Sequence, residues 1–285
     1  MLTHAWNAIA STLERSSVGT GEVRAAREDA IHRGRCCIIR QSGRDAVTGL
    51  RPWSKVCRPG HGAELLKRTN QDKIRIAARS RGVECLLHFT PLPNLASIVE
   101  HGILSREAQC AKEASGYTSS AHRLDENHSA TSISVSAINH DMFASKRKDS
   151  GRSDWAVLFL SPEILWTHPC RFYARNAARR EMRDHRGFLG GPWAFQEMFS
   201  ESTTRVGSRE EHGLPSVLTT HPDAEIQVLS PISPSLILGA WVSQPSHQKI
   251  VESQLACLTL EDGRAREVVV RDFSPRFVAG SEAWG

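Results

Sequence analysis

The side chains in this sequence that could do chemistry are a histidine, a threonine, a row of serines, an arginine and a glutamate. His88 and Thr90 lie two apart in the apolar run VECLLHFT, so a strand sets both on one face. Ser132, Ser134 and Ser136 alternate with Ile133 and Val135 in TSISVSA, which gives a second strand a hydroxyl face. Arg123 stands between them in the polar loop SGYTSSAHRLDENHS, where a guanidinium could meet a phosphate. Glu225 opens the apolar strand AEIQVL after the loop GLPSVLTTHPD. Each alone has an ordinary explanation: a satisfied strand histidine, a solvated serine face, a surface arginine, an acid at a strand edge. Together, in the chain order histidine, arginine, serine row and glutamate on a split sheet, they suit a nucleotide whose glycosidic bond is to be broken. The arginine would pair with a pyrophosphate, and the histidine and threonine would orient ribose and nicotinamide. The glutamate would hold a ribose hydroxyl and steady the developing oxocarbenium charge.

The elements that must position these groups are those of an α+β domain. A helix over 72–82 ends at Gly82. The strand at 83–90 is followed by a helix over 92–104, with Leu95, Ile98 and Val99 inward, Asn94 as its cap and Gly102 closing it. Further strands are read in TSISVSA, WAVLFL, AEIQVL, LILGAWV and REVVVRDF. SPEILW is a helical turn, and GPWAFQEMF is a helix with Pro192 in its first turn. Strands in scattered order with few crossover helices predict a mixed, largely antiparallel sheet rather than a doubly wound parallel one. CCIIR could form a short strand in the first third. Gly19 and Gly21 imitate a dinucleotide fingerprint, but Arg24 replaces its third glycine and no strand precedes it.

The basic character is confined to the start of the chain. Residues 1–80 carry 15 Lys and Arg against 7 Asp and Glu, whereas the remaining 205 residues carry 21 against 24. The turn-rich stretch GLRPWSKVCRPGHG ahead of the helix at 72–82 sets a boundary near 68, between a basic N-terminal extension, 1–68, and a domain at 69–285. Such an arm attracts nucleic acid by counterion release, or is simply solvated. Seven cysteines include no CxxC pair, so zinc and other metals are not expected and reduced, mostly buried thiols are. No apolar run approaches the ~20 residues that span a bilayer. Residues 1–20 lack an apolar h-region, and the expected compartment is the cytoplasm, with no membrane partner.

Six segments, in order, resemble the DarT-type ADP-ribosyltransferase toxins: LLHFTPLPNLASIVEHGIL, RLDE before SISVSAINHDMF, WAVLFLSPEILW, CRFYARNAA, DAEIQVLSPISPSLI and VVVRDFSPRF. Together they cover about 75–277. The resemblance implies an ADP-ribosyltransferase fold, a split mixed or antiparallel sheet with flanking helices, and NAD as co-substrate without a metal. It makes Glu225 the catalytic glutamate and Arg123 an NAD-contacting arginine needed for the reaction. His88, Thr90 and Asn94 match the cofactor-binding HxT…N segment, and Ser134 lies on the strand facing the nicotinamide end. Met142, Arg147, Asp223 and His221 are expected at the acceptor. Two positions depart from the family pattern: INHDMF lacks a proline and has His140 for an aromatic, and Asp223 stands where glutamine is usual.

The implied activity is transfer of ADP-ribose to a base of single-stranded DNA, with guanine favoured over thymine on the style of the HFT and RLD motifs. The chain would then be a toxin of a toxin–antitoxin or phage-defence system, with a macrodomain antitoxin as partner. Alternatives are an RNA or protein acceptor, or an inactive module that only binds nucleic acid.

Overall fold

A computed structural model describes residues 68–113, 116–117, 125, 127–201, 208–258, 263 and 265–273. The strand read in CCIIR, the glycine pair and Arg123 lie outside the described residues. The first described helix, α1 (Asn70–Ser80), begins at a capping box in which the Thr69 hydroxyl accepts from the Asp72 amide while Asp72 reaches back to Thr69. It ends with Arg81 and Gly82, the latter at φ +74°.

Among the described residues, seven strands form one sheet: β1 (Leu86–Pro91), β2 (Thr131–Val135), β3 (Trp155–Leu160), β4 (Cys170–Tyr173), β5 (Glu225–Val228), β6 (Ile237–Val242) and β7 (Glu267–Val270). Their order is β4-β5-β2-β1-β3-β6-β7. Every neighbouring pair is antiparallel except β6 and β7, as the scattered strand order predicts. The ladder is uneven at its middle. β1 pairs with β3 over six residues but with β2 over two, Leu86 with Val135 and Leu87 with Ser134. Beyond Leu87 the two strands part, and the sheet divides into a β4-β5-β2 half and a β1-β3-β6-β7 half.

One face is mainly aliphatic, with Phe172 among its side chains and His88 and Thr90 on it where β1 leaves β2, and packs against α1, α2 (Leu95–His101) and the helix Pro192–Glu197. The opposite face changes character at the split. On the β1-β3-β6 half it is aromatic: Trp155 and Trp241 are fully buried, and Phe143 reaches this cluster from α3 (His140–Ser150). On the other half, alternation brings Ser132, Ser134, Glu225 and Gln227 to that same side. Apolar packing thus covers both faces of the β1-β3-β6 half, whereas the β4-β5-β2 half is apolar on one face and keeps a polar row on the other.

The helix α3 and the helix α4 (Pro245–Leu255) were not legible in the sequence. Phe143 alone is buried in α3, and Val251 and Leu255 in α4, so neither shows an apolar stripe. The strand β4 was also missed: its run CRFY lacks the β-branched residues that mark β5 and β7, which are equally short. Among the described cysteines Cys85 and Cys170 are buried, and burial pushes both thiols up to about 12. Cys110 and Cys257 are exposed, against the expectation of mostly buried thiols. No group of acidic, histidine or cysteine side chains among the described residues could hold a metal ion, and no helix among them is long and apolar enough to cross a membrane.

Candidate active site

A cavity of about 310 Å³ opens where β1 and β2 part. His88, Thr90, Asn94, Ser132, Ser134, Met142, Asp223 and Glu225 all line it, so side chains distant in sequence meet here. Its walls come from both faces of the sheet. His88 and Thr90 share the side of Leu86, which pairs with Val135, so they lie on the face opposite the serine hydroxyls. Only the split lets both sets reach one space.

His88 holds that split open. Its Nδ1 donates to the Ser132 carbonyl at 3.0 Å, replacing a ladder bond that the diverging strands do not make. A carbonyl can only accept, so Nδ1 carries the proton and neutral His88 keeps Nε2 as an acceptor. Burial holds its pKa below the ordinary histidine value, and the Ser132 carbonyl opposes this by favouring the charged ring.

Glu225, at the start of β5, is 8% exposed and held by donors on both oxygens. Oε1 accepts from the Ser132 hydroxyl at 2.5 Å. Oε2 accepts from the Asn176 side-chain amide and the Ala177 backbone amide, each at 3.0 Å. Three donors on an acceptor-only group fix the carboxylate in one orientation toward the cavity. Asn176 itself is set by a tight local turn in which its Oδ1 accepts from the Ala178 amide at 3.0 Å. Sequence reasoning missed Asn176 and Ala177, because a loop donor leaves no periodic trace. The signal available was an asparagine three residues beyond the end of β4, in FYARNAA.

Two residues on from Glu225, Gln227 is buried in a polar cluster of its own. Its amide donates to Asp125 at 2.6 Å, and its carbonyl accepts from Asn127 at 2.8 Å. This ties Asp125 and Asn127 to the strand carrying Glu225. Asp125 lies two residues beyond Arg123.

Asn94 does not cap α2, as its position had predicted. Its own backbone is already helical and its side chain turns into the site. Nδ2 donates to Thr90 Oγ1 and to the Tyr117 carbonyl, both at 3.0 Å, and Oδ1 accepts from the Tyr117 amide at 2.6 Å. Asn94→Ala would release Tyr117 and leave Thr90 without its donor. Two or three lost bonds of ordinary strength should raise KM for NAD about 5- to 50-fold with kcat changed less. Steady-state kinetics at saturating acceptor would check this, and an unchanged KM would remove Asn94 from the site.

Asp223 is fixed rather than free. Its Oδ1 accepts from Arg175 Nε at 2.7 Å and its Oδ2 from Arg179 Nε at 2.5 Å. Burial raises its pKa, but bonds to and charges on these two arginines outweigh burial and hold it below the usual carboxylate range. His221 and Arg147, both expected at the acceptor, do not line the cavity. The Arg147 guanidinium lies over the rings of Phe143 and Phe273, 5.6 and 5.4 Å from their centroids, as a lid on the aromatic cluster. His221 is 5% exposed, and burial together with the Arg175 charge lowers its pKa to about 4.

This histidine gives the stability a pH dependence. Unfolded, it takes up a proton near 6.5; folded, it does so only near 4. The unfolded state therefore binds more protons in that window, and stability falls as pH drops from about 6.5 to 4, by up to ~3 kcal/mol. Below the ordinary carboxylate range, protonation of Asp223 removes its stabilising ion pairs as well. Thermal melts between pH 7.5 and 4 should show a shallower decline for His221→Gln than for the native chain. Equal slopes would contradict a buried neutral imidazole.

A family model described as "ssDNA thymidine ADP-ribosyltransferase, DarT" matches residues 87–272. No curated protein matches the chain. Among solved structures, the chain is similar to Thermus sp. 2.9 DarT in complex with NAD+, at 15% identity and a TM-score of 0.46 over 66% of this chain and 96% of that one. The same protein in complex with ADP-ribosylated ssDNA gives 14% and 0.46, over 66% and 94%. Thermosipho africanus DarTG in complex with ADP-ribose gives 14% and 0.42 over 68% of this chain, which spans about half, 51%, of that one.

Proposed function

The chain belongs to the DarT family of single-stranded-DNA ADP-ribosyltransferases, and from that premise we propose that the cavity at the sheet split carries its reaction. NAD is the donor and a base of single-stranded DNA the acceptor. The observation that supports this best is the meeting, in one cavity, of His88, Thr90 and a Glu225 whose two oxygens are held by Ser132, Asn176 and Ala177.

In this reading His88 and Thr90, with Ser134 on the opposite wall, hold the ribose and nicotinamide end of NAD. Arg123, two residues before the Asp125 that Gln227 holds, is assigned to the pyrophosphate. The bond between the ribose anomeric carbon and the nicotinamide nitrogen breaks, and its electron pair leaves with nicotinamide. Glu225 stabilises the ribosyl cation by a charge already fixed in place, which costs no reorganisation during the reaction. A base nitrogen attacks the anomeric carbon, and its proton passes to Glu225 or to water. The base must be unpaired, since stacking in a duplex hides the nitrogen. Met142 and Asp223 line the acceptor side, Asp223 through its rigid pairs with Arg175 and Arg179. We assign Arg147 and His221 to support of that wall rather than to contact.

The finer assignments are guanine as the preferred base, on the HFT and RLD motifs, and action as a toxin countered by a macrodomain antitoxin or deployed against phage. The domain is assigned to 69–285 and the basic extension to 1–68. Labelled NAD incubated with oligonucleotides containing only thymine or a single guanine, with RNA of matched sequence and with protein tests the acceptor. Label on the guanine-containing DNA is expected. Label on thymine alone would overturn the base, and label on RNA or protein alone the acceptor class.

A further inference from the structure

We propose that Tyr117 is a stacking platform for a nucleobase at the mouth of the cavity, an inference that rests on the transferase reading above. Tyr117 is 58% exposed yet lines the cavity. An exposed tyrosine in a polar loop is ordinarily held by nothing. Here both backbone groups are clamped by a single side chain, Asn94, which accepts from the amide at 2.6 Å and donates to the carbonyl at 3.0 Å. Asn94 is in turn fixed to Thr90 on β1. The backbone that carries the ring is therefore held from the same strand that carries His88.

The ring is also backed. The Arg152 guanidinium lies 4.8 Å from its centroid. Arg152 is no loose cation: Nε and Nη2 fork onto the two oxygens of Asp154 at 3.0 and 2.7 Å. The Asp154 carbonyl accepts from the Leu92 amide at 2.9 Å, which ties the backing residue to the end of β1. The guanidinium, held by Asp154, occupies one face of the ring, and the rest of this exposed ring is offered to a flat ligand. A platform fixed before the ligand arrives loses little entropy on binding. Flat π-faces are common to every nucleobase, so an aromatic ring stacks any of them. Both substrates of the proposed reaction bring one: the adenine of NAD and the bases of the DNA strand.

The test is direct binding of NAD, of nicotinamide mononucleotide, which lacks adenine, and of a single-stranded oligonucleotide. Tyr117→Ala and Tyr117→Phe are compared with the native chain. The alanine variant keeps the Asn94 clamp, because the clamp holds backbone, and melting curves confirm the fold. Loss of one stacked base should weaken binding about 5- to 100-fold, with phenylalanine restoring most of it. A loss for NAD with the mononucleotide unchanged assigns the platform to adenine. A loss for the oligonucleotide with NAD unchanged assigns it to the acceptor strand. Native-like affinity of Tyr117→Ala for all three ligands overturns the platform but leaves the transferase reading intact. A native chain that binds neither NAD nor DNA overturns both.

Discussion

Glu225→Ala should lower kcat for ADP-ribose transfer about 10²- to 10⁴-fold while NAD binding changes little. The carboxylate acts on charge that develops only as the glycosidic bond breaks, so its removal should fall on kcat rather than on the ground-state complex. Alanine also strands its donors: Ser132, Asn176 and the Ala177 amide would lose a shared acceptor. Glu225→Gln is the cleaner variant. Its amide can donate to the Ser132 hydroxyl, which can accept, while its carbonyl receives from Asn176 and Ala177. The cradle then survives and only the charge is gone. If charge is what matters, glutamine should be nearly as slow as alanine. A glutamine variant within a few-fold of native activity would reduce Glu225 to a packing residue.

The second large effect concerns what holds the split sheet in shape. Trp155 is fully buried, packs edge-on to Phe143 at 5.6 Å between centroids, and donates its indole N–H to the Arg152 carbonyl at 3.1 Å. Trp155→Ala should cost about 3–5 kcal/mol, a large share of the ~5–15 kcal/mol that stabilises a typical domain. The damage should not stay local. Trp155 pairs with Pro91 at the end of β1, and its neighbour Asp154 holds Arg152 against the Tyr117 ring. Urea unfolding should show a lowered midpoint with m unchanged, and Trp155→Phe should recover part of the loss. A midpoint within experimental scatter of native would show that the aromatic cluster does not support the fold.

Residues legible in the sequence were those that obey a strand's period of two. His88, Thr90 and the serine row were found because alternation fixes their faces, and Glu225 because an acid stood at the head of an apolar run. Their relation was not legible. His88 and Thr90 turn out to lie on the opposite face from Ser132 and Ser134, and they meet only where the ladder stops after two pairs. No local pattern announces where two strands cease to pair. Asn94 shows the same limit: its type and position gave a cap, but a partner 23 residues away competes for its side chain. Asn176, Ala177 and Tyr117 belong to loops, where position follows from tertiary contacts rather than from spacing. Asp223 was singled out by sequence as an acceptor residue, but only the fold brings Arg175 and Arg179 onto its oxygens.

The most direct test of the central claim is one mass measurement on a single-stranded oligonucleotide incubated with NAD and the full chain, beside Glu225→Gln, with released nicotinamide quantified in the same tubes. A gain of one ADP-ribose per strand, matched by nicotinamide and lost in the variant, is the predicted result. Equal adduct with both proteins, or neither adduct nor nicotinamide with the native chain, would contradict it.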